Sequence, residues 1–219
     1  MNLMIEGLFF VERTKTAVPA GAPTPSQLLN AFHPIGDRAT RFLDSRSFQC
    51  AVPKGKFLLR KGQICPYIFM VRFGLVRGFV AEGKNEITTW IATDNELVSS
   101  SNFFDQSPAL ENIQALEDLT LIGLHYSDLE AAYARYPELN TAARLVLQQA
   151  YQQAEERSYL ARLGKASSRY AYFQEKKPEL VNRVPLKFIA SYLGMTLETL
   201  SRLRTSLSKA YADGFEKRI

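Results

Sequence analysis

The sequence predicts an α+β protein: an N-terminal antiparallel β jelly roll, one long connecting helix, and a C-terminal pair of helices joined by a tight turn. Three observations predict it. Residues 48–124 break into short apolar runs with turn signals every 8–12 residues, the texture of a small antiparallel sandwich. After Pro137, nothing up to Leu163 interrupts a helix, since the stretch holds no Gly and no further Pro. Val184–Lys209, VPLKFIASYLGMTLETLSRLRTSLSK, carries two apolar stripes at helical spacing on either side of Gly194.

In chain order, Val18–Ser26 (VPAGAPTPS) reads as a linker after a short N-terminal tail. Gln27 to about Ser45 reads as helical, broken at Pro34 and Gly36. Pro53-Lys54-Gly55 and Lys61-Gly62-Gln63 bracket a strand at Phe57–Arg60. Tyr67–Phe73 and Leu75–Ala81 flank Gly74 like a hairpin, and Glu82-Gly83-Lys84-Asn85 leads into Ile87–Ala92. Asn112–Leu116 and Thr120–Leu124 close the series.

Ser127-Asp128-Leu129-Glu130 matches the S-x-x-E capping box and opens a helix ending near Tyr136. Pro137 suits a first helical position. The helix after it, of some 26 residues, spans about 39 Å at 1.5 Å per residue. Leu139, Ala142, Val146, Gln149, Gln153, Leu160 and Leu163 lie near one seam, which suits pairing with a twin in a dimer. The same stripe would also suit packing on the chain's own sandwich. Four segments result: a tail and linker at 1–26, a sandwich at 27–136, a dimerisation helix at 137–164, and a helical unit at 165–219.

In that last unit, Leu186, Ile189, Ala190 and Leu193 form one stripe, and Leu200, Leu203 and Leu207 the next. Gly194 sits where a helix end calls for left-handed backbone, and Thr196 is placed to cap the helix that follows. Glu198, Thr199, Arg202, Thr205 and Lys209 form a polar row opposite the leucines. This is the pattern of a helix-turn-helix, whose second helix enters the major groove of double-stranded DNA. A hairpin that only fills a core is the plainer reading of the same spacing.

Charge agrees with a polyanionic partner. Residues 157–219 hold 13 of the 27 Lys+Arg and 5 of the 22 Asp+Glu, so the net +5 gathers around the helix-turn-helix. No apolar run reaches the roughly 18 residues of a membrane helix. The opening MNLMIEGLFFVER lacks the basic start of a signal peptide. Cys50 and Cys65 form neither a disulfide framework nor a CxxC cluster, which suits a cytoplasmic protein with reduced thiols.

Together, RYAYFQEKKPELVNRVPLKFIASYL and the following GMTLETLSRLR resemble the Crp–Fnr family of bacterial transcription regulators, in the version common in Bacteroidetes. The resemblance covers about residues 27–212. It implies a cyclic-nucleotide-binding-like jelly roll as sensor, a C-terminal winged helix-turn-helix, a homodimer, and a pseudo-palindromic DNA site. It admits an unidentified small-molecule effector and RNA polymerase as further partners.

By position, the resemblance assigns base reading to Glu198 and Arg202. The chemistry suits this, because Arg can donate to guanine O6 and N7 and Glu can accept from cytosine N4. It assigns phosphate-backbone contact to Thr196, Thr199 and Lys187, and Thr205 lies on the same row. Leu197 stands where the best-known members have arginine, which implies a different target. An i, i+4 pair is the structural alternative for Glu198 and Arg202.

In NELVSSSNFFDQSPALENIQALED, Ser99 stands near the position of the family's ribose-binding glutamate. Ala109, Leu110 and Glu111 stand around its phosphate-binding Arg-Ser pair. A phosphate facing Glu111 without an arginine would be poorly held, so the expected sensor does not take cAMP.

Other chemistry finds no support in the residues. Two cysteines cannot hold an iron–sulfur cluster, and His33 and His125 are isolated candidates for haem. A cupin-like metalloenzyme needs several histidines among its strands, where only His125 stands. No GxSxG, P-loop or HExxH occurs. The reading is therefore non-enzymatic, with no cofactor and no metal. Its rival is a small-molecule-binding or protein-interaction module whose C-terminal unit no longer binds DNA.

Overall fold

The structure, a computed structural model, describes residues 12–14 and 24–216, with side chains over 24–206. Two antiparallel sheets face each other. The first is five-stranded, in the order β1 (Glu12–Thr14), β2 (Phe48–Val52), β9 (Leu119–His125), β4 (Tyr67–Phe73), β7 (Leu97–Val98). The second is four-stranded, in the order β3 (Phe57–Leu59), β8 (Asn112–Ala115), β5 (Val76–Glu82), β6 (Asn85–Ala92). Cys50, Val52, Leu58, Phe69, Val71, Ile113 and Leu121 fill the space between them. The antiparallel sandwich expected from the sequence is present.

Four sequence expectations need correction. Glu12–Thr14 falls in the expected tail, yet it is a strand that pairs with Gln49–Ala51; the rest of that tail, with residues 15–23 of the linker, lies outside the described residues. Pro25 and Ser26 belong not to a linker but to α1 (Pro25–Phe32), which opens on a capping box between Thr24 and Gln27. The segments flanking Gly74 are not a hairpin: β4 and β5 lie in different sheets, and Gly74, at φ +115°, is the corner between them. A Cβ there would stand 2.7 Å from both the Asp118 carbonyl oxygen and Leu119 Cδ2, so only glycine turns that corner unstrained. The true hairpin is β5–β6, closed over Gly83-Lys84.

The fourth correction concerns the cap at Ser127. The helix α3 (Tyr126–Arg135) begins one residue earlier, and its N-cap is His125, whose Nδ1 accepts from the Ser127 N–H at 3.1 Å. An imidazole can do what a serine hydroxyl does when it projects from the end of a strand.

α2 (Asp37–Arg46), α1 and α3 pack around Leu43, Leu129 and Leu139 at one end of the sandwich. The unbroken helix α4 (Pro137–Arg162) runs 26 residues, with Pro137 at its first turn. Of its sequence-derived seam, Leu139, Ala142 and Leu160 are buried within the chain, the last in a second core, while Val146, Gln153 and Leu163 are half-buried and Gln149 is exposed. Exposed on the helix instead are Leu147, Tyr151 and Tyr159, with Ala150 and Ala154 between them. No described helix is long and apolar enough to cross a membrane.

The second core gathers Leu160 with α5 (Ala166–Lys176), α6 (Leu186–Tyr192) and α7 (Leu197–Glu216) around Tyr170, Phe173, Ile189, Leu193 and Leu200. Leu75, Ile91 and Leu116 of the sandwich join the same cluster, so the C-terminal helices rest on the β5–β6 side. No strand follows α7 among the described residues, which leaves the expected wing without an element there.

Candidate nucleic-acid interface

The geometry begins at the turn between α6 and α7. Gly194 adopts φ +60°, the left-handed value its position demands, and the Met195 N–H reaches the Ala190 carbonyl at 3.0 Å. Small Ala190 at that point lets the two helices approach. Thr196 then caps α7: its Oγ1 accepts from the Thr199 N–H at 3.1 Å and lies 3.0 Å from the Thr199 hydroxyl.

Leu200 is fully buried and Leu203 half-buried, which fixes the rotation of α7. The opposite face then presents Leu197, Glu198, Arg202 and Thr205 to solvent, with Thr196 at its head and Lys187 exposed on α6. Thr199 is half-buried. Leu207 and Lys209 lie outside the residues whose side chains are described. The Thr205 hydroxyl donates to the Ser201 carbonyl one turn back, at 3.1 Å. Among the expected contact residues, then, six stand exposed together and Thr199 is partly occupied by the cap.

The Glu198 carboxyl is held below its ordinary value, first by its own backbone N–H, then by the Thr196 hydroxyl, and to a lesser degree by the Arg202 charge. No ion pair joins Glu198 and Arg202 among the described residues, so Arg202 keeps its donors free for a partner.

Two arginines that sequence reasoning passed over hold this face in place. Arg204, one turn from Leu200, donates to the Val181 carbonyl and to Asn182 Oδ1, both at 3.2 Å. Arg169 donates to the Leu163 carbonyl at 2.6 Å and to Gly194 at 3.3 Å, tying the end of α4 to the turn. Neither sits at a spacing that distinguishes it from a solvated surface arginine.

The helical unit is also keyed to the sandwich. β6 is a sheet edge, and Ser191 of α6 satisfies it like a strand, accepting from the Thr88 N–H at 2.9 Å and donating to the Glu86 carbonyl at 2.8 Å. Arg183 bridges Asp94 at 2.9 Å and Glu117 at 2.8 Å, and its guanidinium is raised by hydrogen bonds first to Glu117 and then to Asp94. Lys177 pairs with Glu96 at 2.8 Å. Buried Arg77 stacks on Phe188 of α6 at 3.9 Å and on Phe79 at 4.1 Å.

In the sandwich, Glu111 is buried, and its carboxylate already has donors. Oε2 accepts from the Trp90 indole N–H at 2.9 Å, and Oε1 from the Ser101 N–H at 3.3 Å. The Trp90 ring lies hard against Gly78, where a Cβ would fall 2.2 Å from the indole. The Glu111 carboxylate thus takes up one backbone donor of the 99–111 loop and the Trp90 indole. Leu110 beside it points to solvent, and Ala109 is buried. The described residues hold no group of three or more His, Cys, Asp or Glu able to bind a metal, and Cys50 and Cys65 are buried free thiols.

With that geometry in view, comparison with known proteins is informative. Residues 49–136 match the family model of the cyclic nucleotide-binding domain. The match takes in the sandwich from β2 to α3. No curated protein sequence matches the chain. Among solved structures, FixK2 from Bradyrhizobium japonicum is similar at 20% identity and a TM-score of 0.63, covering 77% of this chain and 86% of its own. The Thermus thermophilus catabolite activator protein shares 23% identity at a TM-score of 0.52, covering 84% and 87%. The c-di-GMP responsive global regulator CLP of Xanthomonas campestris shares 17% at 0.62, covering 82% and 93%. At these identities the likeness is one of fold, and it extends beyond the sandwich through the helices.

Proposed function

We propose that the chain is a dimeric, DNA-binding transcription regulator of the Crp–Fnr type, in its Bacteroidetes form, with α6 and α7 as its helix-turn-helix. The observation that carries the reading is the face of α7. Arg202, Glu198 and Thr205 are exposed on a helix whose other side is locked by Leu200, behind a glycine turn and a threonine cap. Such a helix can enter a major groove without moving any core residue.

Arg202 and Glu198 then read base edges, while Lys187, Thr196 and Thr199 contact phosphates; Leu197 offers a methyl contact where the family commonly has a guanidinium. The similarity to a catabolite activator and a global regulator favours the same reading. Two copies would pair through the exposed Leu147, Tyr151 and Tyr159 face of α4 and set two α7 helices about 34 Å apart, one turn of DNA. Cyclic AMP is not the proposed effector, because Glu111 sets a negative charge where the family's phosphate-binding Arg-Ser pair would stand.

A titration of the purified protein on random-sequence duplex DNA across salt concentration tests this. Binding should weaken steeply as salt rises, with log K falling linearly in log salt as counterions are released. Absence of binding at low salt would refute it.

A further inference from the structure

Outside the sandwich interior lies a cleft of about 430 Å³, walled by the 90–99 segment, by α1, by the middle of α4, and by α5 with Tyr192 of α6. Its size falls within the range of small-molecule sites. Ala109, Leu110 and Glu111 do not line it, although Ser99 does and Glu111 braces its Trp90 wall from behind.

Its walls are aromatic. Phe32, Trp90, Tyr172 and Tyr192 line it, each half-buried. Trp90 is a rigid wall, pinned by Glu111 at 2.9 Å and by contact with Gly78. Burial raises the Tyr192 hydroxyl above its ordinary value, and the charge of Arg157, which lines the same cleft, acts in the opposite direction.

Five charged groups line the cleft: Glu96, Glu156, Arg157, Lys176 and Lys177. Glu96 and Lys177 neutralise each other at 2.8 Å. Lys176 lies 5.8 Å over Tyr172, with Glu175 3.6 Å away as a loose, exposed partner. Glu156 points to solvent, whereas Arg157 is half-buried and has no hydrogen-bonded or ion-paired partner among the described residues. A half-buried guanidinium in an aromatic-lined cleft, with no hydrogen-bonded or ion-paired partner among the described residues, is a recognition group for an anion.

We infer that this cleft binds a small organic anion with an aromatic body, its acidic group on Arg157 and its ring against Trp90 and Tyr172. Such a ligand would touch the sandwich, the long helix and the C-terminal helices at once. It would thereby bias how the α6–α7 unit sits on β6. That coupling rests on the regulator reading above; the binding step does not.

Trp90 is the chain's sole tryptophan, so its fluorescence reports the cleft directly. The test uses two probes of nearly equal shape: 1-anilinonaphthalene-8-sulfonate, an anion, and N-phenyl-1-naphthylamine, which is neutral. The folded protein should transfer energy from Trp90 to the anion with one-to-one saturation. Arg157→Gln should weaken the anion at least tenfold and leave the neutral probe within twofold. Gln153→Phe, which fills the cleft beside Arg157, should weaken both, with circular dichroism of both variants matching the parent. Absence of saturable transfer, or an Arg157→Gln variant that holds both probes as the parent does, overturns the proposal. A protein that takes the anion but no DNA would refute the regulator and leave the site standing.

Discussion

Arg77 offers the sharpest test of how the C-terminal helices are seated. Its side chain is 2% exposed. It donates to Gln114 Oε1 through Nε at 3.2 Å and Nη2 at 2.8 Å, to the Thr88 hydroxyl at 3.3 Å, and to Glu86 through a short ion pair. The rings of Phe188 and Phe79 flank it.

Arg77→Ala removes all of these and leaves Gln114 and Thr88 facing a void. Breaking a buried ion pair costs about 3–5 kcal/mol, but Glu86 is 50% exposed and regains water. The lower end, about 3 kcal/mol, is therefore expected. Arg77→Met restores most of the stem's packing and leaves only the polar partners unsatisfied, so it should cost about 1–2 kcal/mol. Glu86→Gln retains a carbonyl acceptor but removes the charge paired with a buried guanidinium, so it should cost about 1–2 kcal/mol. Urea unfolding at neutral pH measures all three, and limited proteolysis shows whether residues 165–216 loosen first. A loss below 1 kcal/mol for Arg77→Ala, or a Glu86→Gln loss equal to it, would refute the reasoning that this arginine, not its carboxylate, anchors α6.

Further outcomes follow from the same geometry. Gly74→Ala forces a side chain to φ +115° and into contact at 2.7 Å with backbone, so it should destabilise by about 1–3 kcal/mol in the same unfolding assay. Leu147→Glu places a charge on the exposed face of α4; light scattering should show a monomer with unchanged circular dichroism, and an intact dimer would exclude that face. Burial pushes the Cys65 thiol up to about 11 from its usual 9.0, against smaller opposing effects of the backbone at Tyr67 and Ser100. Native Cys65 should then resist iodoacetamide at pH 8. Because its folded value lies above the unfolded one, the stability it adds is whole below pH 9 and is lost as pH rises through about 11; rapid labelling at pH 8 would contradict the burial.

The parts of this fold that local chemistry dictates were legible in the chain. Pro137 and the unbroken run after it gave the 26 residues of α4, and Gly194 with Thr196 gave the turn and cap before α7. The errors came where partners distant in sequence decide. Gly74 reads as a hairpin turn because its flanks alternate like paired strands, and only the other sheet, through Asp118 and Leu119, makes it a corner. Ser127 loses its cap role to His125 because β9 runs straight into α3 and brings the ring to the helix end.

The seam of α4 shows the same limit. A helix with an apolar stripe on one side and Leu147 and Tyr151 on another has two candidate faces, and the periodicity of one chain does not say which is covered. The chain's own helices cover Leu139 at one end and Leu160 at the other, leaving the Leu147 and Tyr151 face open. At the candidate interface, residue types and spacing sufficed to put Arg202 and Glu198 on the exposed face of α7. The anchoring contacts of Arg77 to Phe188, Arg169 to Gly194, Arg183 to Asp94 and Ser191 to Glu86 join residues 25 or more apart in the chain and leave no mark at any single spacing.

The central claim is that the exposed face of α7 reads double-stranded DNA, with Arg202 as a base-reading group. Selection of bound duplexes from a random pool, run in parallel with the parent and Arg202→Ala, tests it most directly. The account predicts a two-fold-symmetric site for the parent and, for the variant, a loss of about 1–3 kcal/mol on that site with relaxed preference at one base pair in each half. An identical selected site at undiminished affinity for Arg202→Ala would contradict it.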